Sequence, residues 1–287
     1  MLDKSFPKIF VIILNFNGAN TLQACLNSVL KSDYQNLEIV IVDNNSSDES
    51  FEKAKEKFSR LHFIKNSENI GFSRGNNVGI RFALEKFADY VFILNNDTII
   101  EMNTISILQK TAEKNSTAGI ISPLILKDDN KTVWFAGGKI LWKKMRAVHI
   151  LKTISQVPYQ SEYLSGCAML IKKDVFKKIG LFDERFFLYY EDADLSIRTI
   201  EANFKLLIDP AATIQHLEQS NQSNKKNYWL VLSGLLFFKL HTKGSLRIWM
   251  FFYILLRKIK NLCKYCFTNN IEAKEVRRAY RDFRVIL

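Results

Sequence analysis

The first third of the chain alternates between short, unbroken apolar runs and amphipathic stretches. KIFVIILNF has β-branched and aromatic residues with no polar break and ends at Asn17–Gly18, so it predicts a strand buried on both faces and closed by a turn. ANTLQACLNSVLKS follows with apolar residues at Leu22, Cys25, Leu26, Val29 and Leu30, the spacing of one helix face, with Asn20 or Thr21 as its cap. Leu37–Val42 reads as a second buried strand running into DNNSSDES, where Ser47 or Asp48 is expected to cap a helix reaching about Phe58. LHFIKN predicts a third strand, NVGIRFALEKF a helix and YVFILNND a fourth strand. Strand and helix in alternation predict an α/β fold whose mostly parallel sheet is covered by helices.

Beyond Thr98 the period weakens. ISILQKTAEKN predicts a helix, GIISPLIL a strand, and TVWFAGGKILW a hairpin-like pair around Gly137–Gly138. YLSGCAMLIKKDVFKKIG reads as a strand and a short helix stopped by Gly180. An aromatic loop, a helix from about Glu191 and a strand closing at Pro210 follow.

Polar residues collect where the strands end: Asn15–Asn17, Asp43–Asn45 and Asn95–Asp97. Turn chemistry alone favours Asn and Asp at such points. Ligands of parallel sheets also gather at the carboxyl ends of strands, and three clusters in register converge on one crevice. Asp97, with Asn95 two residues before it, suits a hard divalent cation, Mg2+ or Mn2+, that takes its other ligands from a diphosphate. The glycines at 71, 75 and 79 fit neither GxGxxG nor GxxxxGK[ST], which disfavours a dinucleotide or Walker loop. They read either as a Gly-rich turn before a helix or as a backbone approach to phosphate or ribose, with Arg74 as a phosphate contact.

YYEDADLSIR holds Glu191, Asp192 and Asp194 at a predicted helix start. The helix dipole favours acids there whatever their role. Adjacent carboxylates behind FFLYY also suit a general base whose pKa rises toward working pH. Asp194 is expected to face elsewhere and pair with Arg198 at i+4. His216 stands near the crevice and is open to a structural or a ligand role.

Composition adds one asymmetry. The 287 residues are 47% hydrophobic and 24% charged, ordinary for a globular chain. From Gln219 onward there are 14 Lys and Arg against 3 Asp and Glu, so that segment carries +11 of the formal +12. Its apolar segments, NYWLVLSGLLFF and IWMFFYILL, fall short of the roughly 18–20 residues a bilayer span needs. Three readings follow: helices packed on the body, a segment lying on an anionic membrane surface, or nucleic-acid binding, for which no motif speaks. Cys25 and Cys167 read as buried thiols, and Cys263 and Cys266 as two thiols on one helix face, since no second ligand pair accompanies them. Lys4 and Lys8 precede only a short apolar run without a cleavage site, so a cytosolic start without a leader is expected.

VIILNFNG, VDNNSSDES, GFSRGNNVGI, LNNDT, SGCAMLIKKDVFKKIGLFDERFFLYYEDADLSIR and the later His216 stand in an order that resembles family 2 glycosyltransferases, the rhamnosyltransferase-like branch most of all, over about residues 8–240. The resemblance implies a GT-A, Rossmann-like catalytic domain over 1–222, with a nucleotide-binding half to about residue 100, and a basic helical tail over 223–287. It implies a nucleotide-diphospho-sugar donor (dTDP-rhamnose or a UDP-sugar), a divalent cation, inversion at the anomeric carbon, and a saccharide or lipid-linked acceptor met at the cytoplasmic face of a membrane. Position by position, Asn15, Phe16, Asn17 and Asp43 match the base- and ribose-side residues, and Gly71, Arg74 and Asn77 the nucleotide-lining loop. Asn95, Asn96 and Asp97 match the DxD motif, with Asn in place of its first acid. Gly166 matches the acceptor-side strand, Asp192 (with Glu191 before it) the catalytic base, and His216 a further metal or diphosphate contact. The branch often has Arg-Asn where Ser233–Gly234 stands here. A non-catalytic sugar-nucleotide-binding relative is disfavoured by the presence of both Asp97 and Asp192. A sugar nucleotidyltransferase is disfavoured by the lack of Lys and Arg in NFNGANTLQAC.

Overall fold

The computed structural model describes residues 6–217, 225–268 and 271–283. The expected boundary between residues 222 and 223 lies outside the described residues. The first apolar runs form β1 (Ile9–Asn15), β2 (Leu37–Asp43) and β3 (His62–Lys65), with α1 (Leu22–Leu30) and α2 (Ser50–Lys57) as their crossovers. Helix α3 (Gly71–Glu85) leads into β4 (Tyr90–Asn95) and the short β5 (Thr98–Ile100). These strands pair in parallel in the order β4-β1-β2-β3, which accounts for their continuous apolar sequence: Ile9 through Ile13 and Val91 through Leu94 are all buried.

The second half adds α4 (Thr104–Lys114), β6 (Ala118–Leu126), β7 (Val133–Phe135), β8 (Gly138–Leu141), β9 (Arg146–His149), β10 (Tyr159–Gln160), β11 (Ala168–Lys172), α5 (Lys173–Ile179), α6 (Glu191–Glu201) and β12 (Lys205–His216). The sheet runs β10-β12-β6-β11-β4-β1-β2-β3. Strand β11 lies antiparallel between β4 and β6, while β6 and β12 are parallel, so six of the eight strands on this path share one direction. Three helices follow, α7 (Lys225–His241), α8 (Ser245–Thr268) and α9 (Ile271–Asp282).

Four local expectations are corrected. The Gly-rich segment is not a turn before a helix but the first turns of α3. Its glycines recur every four residues and so share the face laid on the sheet: a Cβ would come within 2.5 Å of Leu14 at Gly75 and of Ile12 at Gly79. TVWFAGGKILW does not fold on itself, since β7 pairs with β6 and β8 with β9. The last strand does not close at Pro210 but shifts register between Asp209 and Thr213 and continues to His216. The expected cap of α2 also moves: Glu49 holds the cap position in a left-handed conformation, and Asp48 instead accepts the N–H groups of Ala19 and Ser50.

The basic segment divides. Helix α7 belongs to the body, with Phe237 and Phe238 fully buried and packed on Trp142 and Tyr190. Helix α8 sets Met250, Tyr253 and Ile254 on the core and turns its other side outward. Among the described residues no helix is long and apolar enough to cross a membrane. Cys25 and Cys167 are buried and Cys263 is exposed, none of them in a disulfide.

Candidate active site

The strand ends enclose a cavity of about 470 Å³. Phe16, Asn44, Gly71, Asn95, Asn96 and Asp97 line it, together with Gly166, Glu191, Asp192 and His216. Both acids singled out by sequence, Asp97 and Asp192, therefore line one open cavity.

The turn after β4 positions Asp97. Thr98 Oγ1 donates to the Asn95 carbonyl at 2.7 Å, and Asn96 Nδ2 donates to Asn15 Oδ1 at 2.8 Å, which fixes the NND segment over the end of β1. β5 then pairs antiparallel with the end of β12, setting His216 opposite Thr98. That pairing brings His216 Nε2 to 3.2 Å from Asp97 Oδ1. The contact lacks hydrogen-bond alignment: Asp97 Oδ1 and His216 Nδ1 are both buried without a hydrogen-bond partner. Trp134 holds the imidazole edge to face, with ring centroids 4.5 Å apart. Buried polar atoms without partners are costly in a folded protein and point to a missing ligand. Among the described residues no three His, Cys, Asp or Glu side chains cluster as metal ligands. A carboxylate and an imidazole side by side therefore fit a cation that draws its remaining ligands from phosphate.

Across the cavity, α6 begins with Glu191 and Asp192. Tyr189 and Tyr190 before it both adopt left-handed backbone, at φ 69° and 65°, a strained turn for residues with a Cβ. Helix α7 holds that turn in place. Trp229 stacks on Phe187 at 4.3 Å, Ser233 Oγ donates to the Leu188 carbonyl at 2.7 Å, and Gly234 leaves room for the Tyr190 ring. His241 Nε2 meets Asp194 at 2.8 Å. Asp194 also holds Arg198 at 2.7 Å and faces away from the cavity, as its helical offset predicts.

Asp192 is half-buried. Its Oδ2 accepts the Gly166 N–H at 3.0 Å and its Oδ1 the Ala193 N–H at 2.7 Å. Burial pushes its carboxyl above the ordinary aspartate range, opposed by these two N–H groups and by nearby His149. Glu191 is 5% exposed, and its Oε2 has no hydrogen-bond partner. Burial, then the charge of Asp192, raises the Glu191 carboxyl well above the usual range. Of the pair, Asp192 is the easier to ionise, because two N–H donors stabilise its charge and none reaches Glu191 Oε2.

Several residues expected to contact the donor do not line the cavity. Asn15 is fully buried, with Nδ2 within 3.0 Å of Asp43 Oδ1, Ser46 Oγ and Ser50 Oγ. Asp43 is likewise fully buried and accepts the Ser46 N–H at 2.9 Å. Asn17 is exposed and accepts the Ser47 N–H at 2.8 Å. Asn77 is buried and brackets Phe182, donating to its carbonyl at 2.9 Å and accepting its N–H at 3.1 Å. Arg74 is exposed beside Glu184, on the outer side of α3. Asn44, from the predicted Asp43–Asn45 cluster, lines the cavity, and so do Asn69, Phe72, Trp134, His149 and Lys226, to which sequence reasoning gave no role. The aromatic and His residues in the weakly periodic stretch after Thr98 were the one available signal for Trp134 and His149.

A parallel nucleotide-binding-type sheet extended through an antiparallel strand, with an NND turn facing an ED helix start, defines a GT-A glycosyltransferase fold. Residues 10–180 match the family described as Glycosyl transferase family 2, and the chain belongs to that family. It is 26% identical over 209 residues to a dTDP-rhamnosyl transferase of Shigella flexneri, covering 72% of this chain and 68% of that protein. It is 23% identical over 230 residues to an N-acetylglucosaminyl-diphospho-decaprenol L-rhamnosyltransferase of Mycobacterium tuberculosis, covering 72% of this chain and 75% of the other. Across the first curated relatives it matches, the aligned stretch spans 55% to 68% of their length. Among solved structures, a mannosyltransferase from Pyrobaculum calidifontis in complex with GDP-Man and Mn2+ superposes with a TM-score of 0.63 at 12% identity, covering 99% of this chain and 87% of that one.

Proposed function

We propose that the protein is an inverting glycosyltransferase that moves a sugar, rhamnose by preference, from a nucleotide-diphospho-sugar to an acceptor hydroxyl of a saccharide or lipid-linked precursor of a cell-surface glycan. The observation that carries this reading is the placement of Asp97 with His216, and of Asp192 with Glu191, on one cavity. Asp97 and His216, whose Oδ1 and Nε2 lie 3.2 Å apart, would hold Mg2+ or Mn2+ between carboxylate and imidazole. When bound, such a cation neutralises charge on a departing nucleoside diphosphate. The rhamnosyl relatives favour dTDP-rhamnose over UDP-sugars as donor, and the decaprenol relative favours a lipid-linked acceptor.

Asp192 receives the proton of the acceptor hydroxyl. The hydroxyl oxygen bonds the anomeric carbon as the bond to the phosphate oxygen breaks and its electron pair leaves with the diphosphate, so configuration inverts. The Gly166 and Ala193 N–H groups keep the Asp192 oxygens aimed and charged. Burial and the charge of Asp192 both disfavour ionisation of Glu191 beside the base. Phe72, Phe187 and Trp134 narrow the cavity and limit water. The test is a thermal-shift screen of dTDP-rhamnose and UDP-hexoses with and without Mn2+, followed by transfer assays. Stabilisation by dTDP-rhamnose that requires Mn2+ and is lost in Asp97→Ala supports the reading. Indifference to every nucleotide sugar refutes it.

A further inference from the structure

Helix α8 shows a large apolar face that no other described residue covers. Ile248, Phe252, Leu255, Ile259 and Leu262 are each 47% to 65% exposed and recur at alternating steps of four and three. Trp249 and Leu256 on one side and Phe251 on the other widen the strip to nearly half the helix circumference at 3.6 residues per turn. A two-helix seam needs only the narrow central strip. Contiguous exposed apolar surface of this breadth marks an interaction site.

The charges say what covers it. Helix α8 carries five Lys and Arg and no Asp or Glu, so a second copy of the same helix would meet its own charge. On one flank, α8 and α9 enclose a cleft of about 390 Å³ lined by Lys258, Asn261, Leu262, Arg277, Tyr280 and Arg281. Leu262 belongs to both, so the cationic cleft opens beside the apolar strip. A nucleic acid would use the cations and leave eight apolar side chains in water. An anionic lipid surface uses both, with acyl chains for the strip and phosphate for the cleft.

We propose that α8 lies in the interface of an anionic bilayer, apolar face down, with the α8–α9 cleft on lipid phosphates. The contact reaches the cavity. Trp249 Nε1 and Tyr253 Oη donate to the carbonyls of Lys143 and Lys144 at 2.9 and 3.0 Å, in the turn between β8 and β9. Strand β9 carries His149 to the cavity wall beside Asp192. The bilayer thus docks on the element that shapes the acceptor-side wall, where the headgroup of a lipid-linked acceptor is presented. That last step rests on the transferase reading, while the docking surface is tested without turnover.

The experiment is co-sedimentation of the full chain with vesicles of phosphatidylcholine, alone or mixed with phosphatidylglycerol. The protein is expected to pellet with mixed vesicles at low salt, and to bind on the order of 100-fold more weakly to phosphatidylcholine alone, since each Lys or Arg at an anionic surface contributes about a decade or less. Phe252→Glu, Leu255→Glu and Ile259→Glu together should abolish binding, while thermal stability and donor hydrolysis in solution stay unchanged. The proposal is overturned if the wild type remains in the supernatant with every vesicle, or if the triple variant pellets as well as the wild type. It is equally overturned if sedimentation velocity shows a lipid-indifferent dimer that the triple variant dissolves into monomers.

Discussion

Asp192→Asn separates the base from its surroundings, because the amide has nearly the carboxylate's shape. The wild-type carboxylate accepts one N–H on each oxygen, from Gly166 and from Ala193. Asparagine offers a single acceptor oxygen, so one of these N–H groups loses its partner, at a cost of about 1–2 kcal/mol. Against this, the buried charge beside Glu191 disappears, so the fold is expected to persist with little change in melting temperature. Chemistry responds differently, since the amide cannot take the hydroxyl proton. A general base contributes a factor on the order of 10²–10⁴, about 3–5 kcal/mol of barrier. The assay is steady-state transfer with varied donor, paired with donor binding followed by thermal shift. kcat should fall by that factor with donor binding intact. Because burial raises the Asp192 pKa, wild-type activity should climb with pH along a limb displaced upward from the ordinary carboxylate range, as Asp192 gives up its proton. The variant should lack that limb. Transfer within a few-fold of wild type, or an unchanged acidic limb, would refute the base assignment.

Other outcomes follow from the same geometry. Asp97→Ala and His216→Ala should each weaken donor binding in the presence of Mn2+ and leave binding without metal unchanged, as titration calorimetry can resolve. Glu191 has a folded pKa raised above its unfolded value, so the folded state holds the extra proton and loses stability as pH rises between the two values. Glu191→Gln should remove that loss, and its advantage in melting temperature should grow with pH. A Cβ at Gly71 would stand 2.5 Å from the Phe187 carbonyl oxygen at φ +84°, so Gly71→Ala should cost about 2 kcal/mol or more and disturb the turn before Glu191 in chemical denaturation and turnover. Asp194→Ala leaves Arg198 and His241 facing each other over a buried gap and should destabilise by about 3 kcal/mol or more in denaturant titration, without touching the cavity.

The sequence made the parallel half legible because strands buried on both faces are continuous apolar runs, and their polar ends mark the crevice. Asp97 and Asp192 were legible for the same reason: each sits where an apolar element stops. What brings His216 to Asp97 was not legible. It depends on β5 pairing with the far end of β12, and β5 is only three residues long. The four-residue spacing of glycines suggested phosphate chemistry, whereas Gly75 and Gly79 answer to helix-on-sheet packing. Asn15 and Asp43 share the motif but brace each other beneath the surface, a distinction that needs side-chain geometry. His149 reaches Asp192 only through the β8–β9 pairing, which the Gly137–Gly138 signal misplaced. The basic segment read as one tail because composition averages over it. Its first helix is core, and its second turns its apolar face outward.

The account turns on where a cation and a diphosphate settle. Crystals grown with Mn2+ and a nucleoside diphosphate, measured at the manganese absorption edge, address this directly. An anomalous peak at Asp97 and His216, with phosphate oxygens completing its coordination and the Asp192 carboxylate across the same cavity, is the predicted result. A metal bound elsewhere, or a nucleotide seated outside the space shared by Asp97 and Asp192, would contradict it.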